Sequence, residues 1–276
     1  MAAAPLPAHK DRPPNVVIAG GGIAALELLL ALRAIAGPLV DITLLTEGAE
    51  LTPPPMTIAE PFERGGAYTY SWSQIAADQH ARLVLDALVA VDTGAQVVFT
   101  RGGLRLDYDV LAVATGARRV APFAGALTVG TPDDASAPLR ALIADVRTRA
   151  GSSLAFALPS PSIWPLPLYE LAVLSAHELR EHGCAATVRI VTPEQHALGL
   201  FGPAARAAIA LQLGVLRIEM ITDAQPREVV AGGLRLDDGS VVGADHVVTL
   251  AEIVARPIPG LPSDRGGFVP VDGSGR

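Results

Sequence analysis

The first uncharged run of the chain, Asn15 to Ala19, is short and rich in β-branched residues. Three glycines follow, then an apolar Ala/Leu-rich segment from Ile23 to Ile35, then a second strand-like run from Val40 to Thr46. That order reads as strand, tight turn, helix and strand, a βαβ unit with the right-handed crossover such units take. Pro53, Pro54 and Pro55 forbid regular structure in the next loop, and Trp72 to His80 predicts a short helix with Ser71 or Ser73 as its N-cap. Leu83 to Thr100 and Leu104 to Leu106 alternate as short strands broken at Asp92 to Gly94 and at Gly102-Gly103, which predicts a small antiparallel meander. Val110 to Ala114 reads as a further strand of the buried type, ending in Thr115-Gly116.

The plan then repeats. Turn-forming residues from Thr131 to Ala135 and a helical stretch from Ala137 to Ala150 place a domain boundary near Phe123. Leu154 to Leu158, Leu168 to Glu181 and Thr187 to Val191 predict a second strand-helix-strand unit, with another helix at Pro203 to Leu213. Arg227 to Val230, Leu234 to Leu236 and Val241 to Val242 predict a hairpin set, before a last strand at His246 to Leu250. The expected fold class is α/β: tandem Rossmann-like dinucleotide-binding domains with small antiparallel β-meanders. The expected division is a mobile leader over 1–14, a first domain over 15–123 completed by 244–276, and a second domain over 124–243.

Composition narrows the function classes. With 276 residues, 50% hydrophobic content and a mean hydropathy of +0.38, the chain can bury two cores. A charged fraction of 18% and a net charge of -7 offer no basic stripe, so nucleic-acid binding is not expected. Cys184 is the only cysteine, which excludes an intrachain disulfide, a CxxC redox pair and a multi-cysteine metal site. The six histidines lack metal-ligand spacing, and His177 falls on a helix as an ordinary surface or core residue. Met1 to Pro14 lacks the apolar core of a signal peptide, so the cytoplasm is expected. The apolar runs read as strand-sized, and no transmembrane segment is expected.

The chemistry concentrates at the first turn. Gly20, Gly22 and Ala25 occupy the three small positions of G-x-G-x-x-G/A, with Gly21, Ile23 and Ala24 between them. Gly20 suits the tight turn, Gly22 the close approach of backbone to a pyrophosphate, and Ala25 the packing of helix on strand. Bound phosphates would meet the helix N-terminus. Glu47 ends the second strand 25 positions after Gly22, where an acid grips a ribose hydroxyl and disfavours a 2′-phosphate. The competing reading is an ordinary glycine turn with Glu47 as a solvated strand end.

Val16 to Arg33, the segment Tyr108 to Ala117, and Gly267-Phe268-Val269-Pro270-Val271-Asp272 together resemble consecutive signatures of the pyridine nucleotide-disulfide oxidoreductase superfamily. Leu51-Thr52-Pro53-Pro54-Pro55 is similar to the loop that lies beside the flavin ring in sulfide:quinone reductases and type II NADH dehydrogenases. The resemblance implies FAD at the first site, with Pro54 in the flavin-side loop, Ala114, Thr115 and Gly116 near the cofactor, and Leu88 touching adenine through its main chain. It implies electron transfer from a small-molecule donor to a small acceptor, quinone being the favoured class, and leaves homo-oligomerisation open.

The same resemblance exposes departures. Aligning Glu170-Leu171-Ala172 with the family's second fingerprint puts Ile163, Pro165 and Leu168 at the glycine positions, so NAD(P)H binding is not expected there. Trp164 to Glu170 reads either as a wall of the flavin or substrate site or as a structural Pro-rich turn. The family's redox cysteines have no counterpart, and no catalytic side chain is assigned. Val271-Asp272 and Arg276 precede, in the family, a Gly-Asp segment that binds the cofactor; its absence predicts looser FAD binding and exposure of apolar residues around Val247 to Leu250. Two readings remain: an FAD-dependent oxidoreductase, or a truncated, catalytically impaired flavin- or dinucleotide-binding protein.

Overall fold

A computed structural model describes residues 12–53, 57–66, 68–131, 135–273 and 275. Pro54, Pro55, Arg276 and most of the expected leader lie outside the described residues. The chain divides into two compact units, 1–53 with 68–118 and 255–276, and 54–67 with 119–254.

The first unit is built on β1 (Asn15–Ala19), α1 (Ile23–Ala36), β2 (Asp41–Thr46), β3 (Glu50–Leu51), β4 (Tyr70–Ser71), α2 (Trp72–Asp78), β5 (Arg82–Leu85), β6 (Leu88–Asp92), β7 (Val97–Thr100), β8 (Arg105–Asp107) and β9 (Val110–Val113). Its main sheet is parallel with the order β5-β2-β1-β9. β1 has a strand on each side and buries Val16 to Ala19 completely, which is why its run is continuously apolar. Ala25 and Leu29, both without exposed surface, seat α1 on this sheet beside Val16, Ile18 and Leu44. α2 begins after Ser71 as its spacing predicts, but the Ser71 hydroxyl bonds Ser73 Oγ at 2.8 Å and caps nothing.

Two expectations change here. The run at Leu83 is not part of the meander: β5 lies parallel to β2, pairing Leu83 with Leu44, and only β6, β7 and β8 form the antiparallel set. β9 is an edge strand rather than a buried one, and Val113 is 39% exposed. At the opposite end of β1, Asp109 accepts hydrogen bonds from the Asn15 amide at 2.7 Å and from Arg12 Nη1 at 2.8 Å. Arg12, part of the expected leader, is therefore tied to the first sheet. The Asp109 side chain is almost fully buried, so Asp109→Ala is expected to cost about 1.5 to 3 kcal/mol, the range for a charged hydrogen bond. A urea midpoint unchanged from the native protein would contradict that role.

The second unit follows through β10 (Arg118–Val120), β11 (Leu127–Val129), α3 (Ser136–Thr148), β12 (Ser153–Ala157), α4 (Leu166–Glu181), β13 (Thr187–Val191), α5 (Gly202–Leu216), β14 (Glu219–Ile221), β15 (Pro226–Val230), β16 (Gly233–Leu236), β17 (Val241–Gly243), β18 (His246–Leu250) and β19 (Glu252–Val254). Its parallel sheet runs β11-β18-β12-β13-β14. Leu139, Ile143 and Val146 of α3 and Leu168, Leu171 and Leu179 of α4 cover it. The hairpin set β15-β16-β17 closes the other core with Leu234 and Leu236.

The unit boundaries differ from the expected ones. Phe123 belongs to the second core, residues 57–66 contribute Ile58 and Phe62 to it, and the chain returns to the first unit only at Ala255. β18 is flanked on both sides by β11 and β12, so Val247, Val248 and Leu250 are buried and the expected exposed patch does not form. Thr249 Oγ1 even donates to the Ala157 carbonyl at 2.9 Å inside this core. The apolar stretch Gly199–Leu216 is longer than expected: its 18 residues have a mean hydropathy of 1.4 with 6% buried, enough by length and composition to cross a membrane.

Candidate functional site: the glycine turn of the first unit

The order β5-β2-β1-β9 reverses direction between β1 and β9, and ligands of such open sheets collect beyond the carboxyl ends of the strands at that switch. A cavity of about 260 Å³ lies there, lined by Gly20, Gly21 and Gly22 after β1, by Leu45, Thr46, Glu47, Gly48 and Glu50 around the end of β2, by Asp86 after β5, and by Leu88, Thr115, Arg256 and Ile258. This is slightly below the roughly 300 to 1,000 Å³ of sites that engulf a whole drug-sized ligand, and so suits one half of a dinucleotide.

The three glycines have three different reasons to be glycine. Gly20 has φ +145° and its Cβ would run into the Ala114 carbonyl oxygen, because the turn crosses the end of β9 with no room between backbones. A Cβ at Gly21 would strike Thr46 Oγ1 and stand 3.4 Å from the buried indole nitrogen of Trp72, which has no hydrogen-bond partner. Gly22 is extended, with φ -101°, and nothing lies within 4 Å of where its Cβ would be. Its neighbours therefore do not demand glycine, and Gly22 itself lines the cavity. Gly22 is also the N-cap of α1 and offers no side-chain acceptor, so the unpaired first-turn N–H groups remain for an anion.

Of the other expected residues, Glu47, Leu88 and Thr115 line the cavity, while Ala25 packs into the core beneath it. Ile23 and Ala24 are exposed in the first turn of α1. Ala114 contributes the carbonyl against Gly20 and donates its own amide to the Ala19 carbonyl at 2.7 Å. Gly116 takes φ +67° just past β9 and is not part of the lining. Pro54 lies outside the described residues.

Glu47 is not a free strand end. Its Oε1 accepts from Arg256 Nη1 at 3.2 Å and its Oε2 from Arg101 Nη2 at 3.3 Å. Asp86 and Arg256 are additions to the expected set. The Thr100 hydroxyl, the Ala87 amide, the Gly102 amide and the Arg101 charge together hold the Asp86 carboxyl below its usual range, against a weaker opposing effect of burial, so it is ionised at neutral pH. The signal for Asp86 was the end of a third parallel strand, hidden because that strand reads locally as a hairpin arm.

The corresponding edge of the second sheet is built differently. Ala157 ends β12, and residues 158–165 intervene before α4, against three after β1. Ile163 and Leu168 are buried in the core, and Pro165 is the N-cap of α4. Glu194 follows β13 much as Glu47 follows β2. It is engaged by Tyr169 Oη at 2.7 Å and by Thr192 Oγ1 at 3.1 Å. Burial first, then the bond and the charge of Glu194, push the Tyr169 hydroxyl far above its ordinary value, so it remains a donor. Trp164 is half exposed and packs edge-on against Phe201, with ring centroids 4.9 Å apart. Cys184 is partly covered beside the Arg147 and His182 carbonyls, and His177 pairs with Glu181 at 3.2 Å on the open face of α4. Among the described residues, no group of three His, Cys, Asp or Glu side chains could hold a metal.

No protein-family model matches the chain, and no curated protein does. Solved structures do. A sulfide:quinone oxidoreductase from Aquifex aeolicus superposes with a TM-score of 0.76 at 19% identity, over 88% of this chain and 59% of that one. The chain shares the tandem Rossmann-like fold of that structure. A ferredoxin reductase from Rhodopseudomonas palustris gives 0.62 at 21% identity, over 86% of this chain and 58% of that one. NDH2 from Plasmodium falciparum, solved in complex with NADH, gives 0.68 at 13% identity, over 89% and 56%. These neighbours are pyridine nucleotide-disulfide oxidoreductases, the superfamily the sequence motifs resemble. The chain spans 56 to 59% of the length of these three structures.

Proposed function

We propose that the first unit binds the ADP half of FAD and that the protein is an FAD-dependent oxidoreductase with a small acceptor, a quinone being the favoured class. The observation that carries this reading is Gly22, a glycine that its own surroundings do not require, at the open wall of a cavity on the switch-point edge of the sheet. The α1 N-terminus would take the pyrophosphate, Glu47 a ribose hydroxyl and Leu88 the adenine edge. Bound flavin supplies the electron transfer; the residues named here hold and orient it.

The second unit is proposed not to bind a nicotinamide nucleotide. Side chains fill the places where backbone would have to approach a pyrophosphate, and Tyr169 already occupies the acid that would take the ribose. Calorimetric titration of FAD-saturated protein with NADH and with NADPH is expected to give no binding up to about millimolar concentration, a limit near -4 kcal/mol. Micromolar binding of either would overturn this assignment. The same feature favours a second reading, a flavin-binding protein without reductase activity. Anaerobic reduction of the bound flavin by dithionite, followed by a soluble quinone, separates the two. Reoxidation well above the rate of free reduced FAD supports the enzyme, and a rate no faster supports the binding protein.

A further inference from the structure

The Glu47 carboxylate at the lip of the cavity carries a guanidinium on each oxygen, Arg256 on Oε1 and Arg101 on Oε2. The three side chains are 41 to 61% exposed, and ion pairs as open as these add little to stability. Their placement is more informative. An unpaired acid at the end of the second strand repels a phosphate on the 2′ position, whereas an arginine at the same place accommodates one. Here both are present: Glu47, Arg101 and Arg256 sum to a single positive charge, which the two further carboxylates on the lining, Glu50 and Asp86, bring to a formal total of -1.

We propose that this clamp makes the site tolerant of a 2′-phosphate, so that 2′-phosphorylated adenosine nucleotides bind the first unit alongside those with a free 2′-hydroxyl. The proposal rests on the reading of this cavity as an ADP site. The guanidiniums turn from the carboxylate to the phosphate, while each carboxylate oxygen keeps a lone pair for a ribose hydroxyl when no phosphate is present. Glu50 and Asp86 also line the cavity. Asp86 is met by the Ala87 amide at 2.7 Å and the Gly102 amide at 3.0 Å, which disperse its charge. Asp86 is nevertheless ionised, and together with Glu50 it limits the clamp to tolerance rather than preference. Because FAD has no 2′-phosphate, such nucleotides would act as competitors for the cofactor site.

The test is calorimetric titration of flavin-free protein with ADP and with 2′,5′-ADP. The two dissociation constants are expected within about tenfold of each other, one decade of affinity. In the double variant Arg101→Gln/Arg256→Gln, 2′,5′-ADP is expected to weaken by at least about tenfold and ADP by less than about threefold, because only the former loses two charge-assisted contacts. Circular dichroism checks that the variant is folded. If the native protein binds ADP but excludes 2′,5′-ADP by about a hundredfold or more, or the double variant weakens both alike, this inference alone falls. If ADP itself does not bind, the reading of the cavity falls and takes this inference with it.

Discussion

Gly22→Val is expected to leave the protein folded and to weaken FAD binding by about 3 kcal/mol or more, roughly a hundredfold. The two halves of that expectation have separate causes. The backbone at Gly22 is extended, which a β-branched residue adopts readily, and no atom lies within 4 Å of the added Cβ. Folding therefore has little reason to notice the change. The branched side chain instead fills the cavity wall where backbone N–H groups would meet a pyrophosphate. Displacing the phosphate from two such contacts removes about 1.5 to 3 kcal/mol each. Thermal unfolding and FAD titration on the same preparation read the two effects independently. Unchanged affinity would remove Gly22 from the site, and a large loss of stability would mean that the open space beside it is not open.

Gly20→Ala, two residues earlier, should do the reverse. Its φ of +145° lies outside the range of L-residues, and a methyl there would overlap the Ala114 carbonyl oxygen. That oxygen belongs to the main chain leaving β9, so no side chain can rotate out of the way. Relief requires separating β1 from β9 at the carboxyl edge of the sheet. We expect a loss above about 4 kcal/mol, an exceptional value for one methyl and a large part of the roughly 5 to 15 kcal/mol that stabilises a domain. Urea unfolding followed by far-UV circular dichroism measures it. A cost below about 1 kcal/mol would show that the turn and strand are further apart than described.

Much of the architecture was legible because it is encoded in adjacent residues. β1, the glycine turn, α1 and β2 follow one another without interruption, and each carries its own local signature. What escaped the sequence depends on partners far along the chain. β5 looks like one arm of a hairpin with β6, since its register with Thr43 to Thr46 has no local mark. Residues 57–66 show no periodicity, and their membership of the second unit is decided by where Ile58 and Phe62 find a core. Glu47 was visible by its distance from Gly22, but Arg256 stands 209 positions away and Arg101 sits at the end of a meander strand. Position in sequence could identify the acid and not what neutralises it. The second unit shows the complementary case. Missing glycines announced a different turn, while the Tyr169 to Glu194 bond that occupies its acid could be seen only in three dimensions.

FAD is proposed to sit at the carboxyl edge of the first sheet, at Gly22 and Glu47. Equilibrium dialysis of the purified protein against FAD, followed by a visible absorption spectrum, tests this placement. Equimolar retention of flavin with the absorption bands of a bound isoalloxazine is expected, as is its loss in Gly22→Val at the same free FAD concentration. A protein that stays colourless under saturating FAD, or one whose flavin content is the same with valine at position 22, would contradict it.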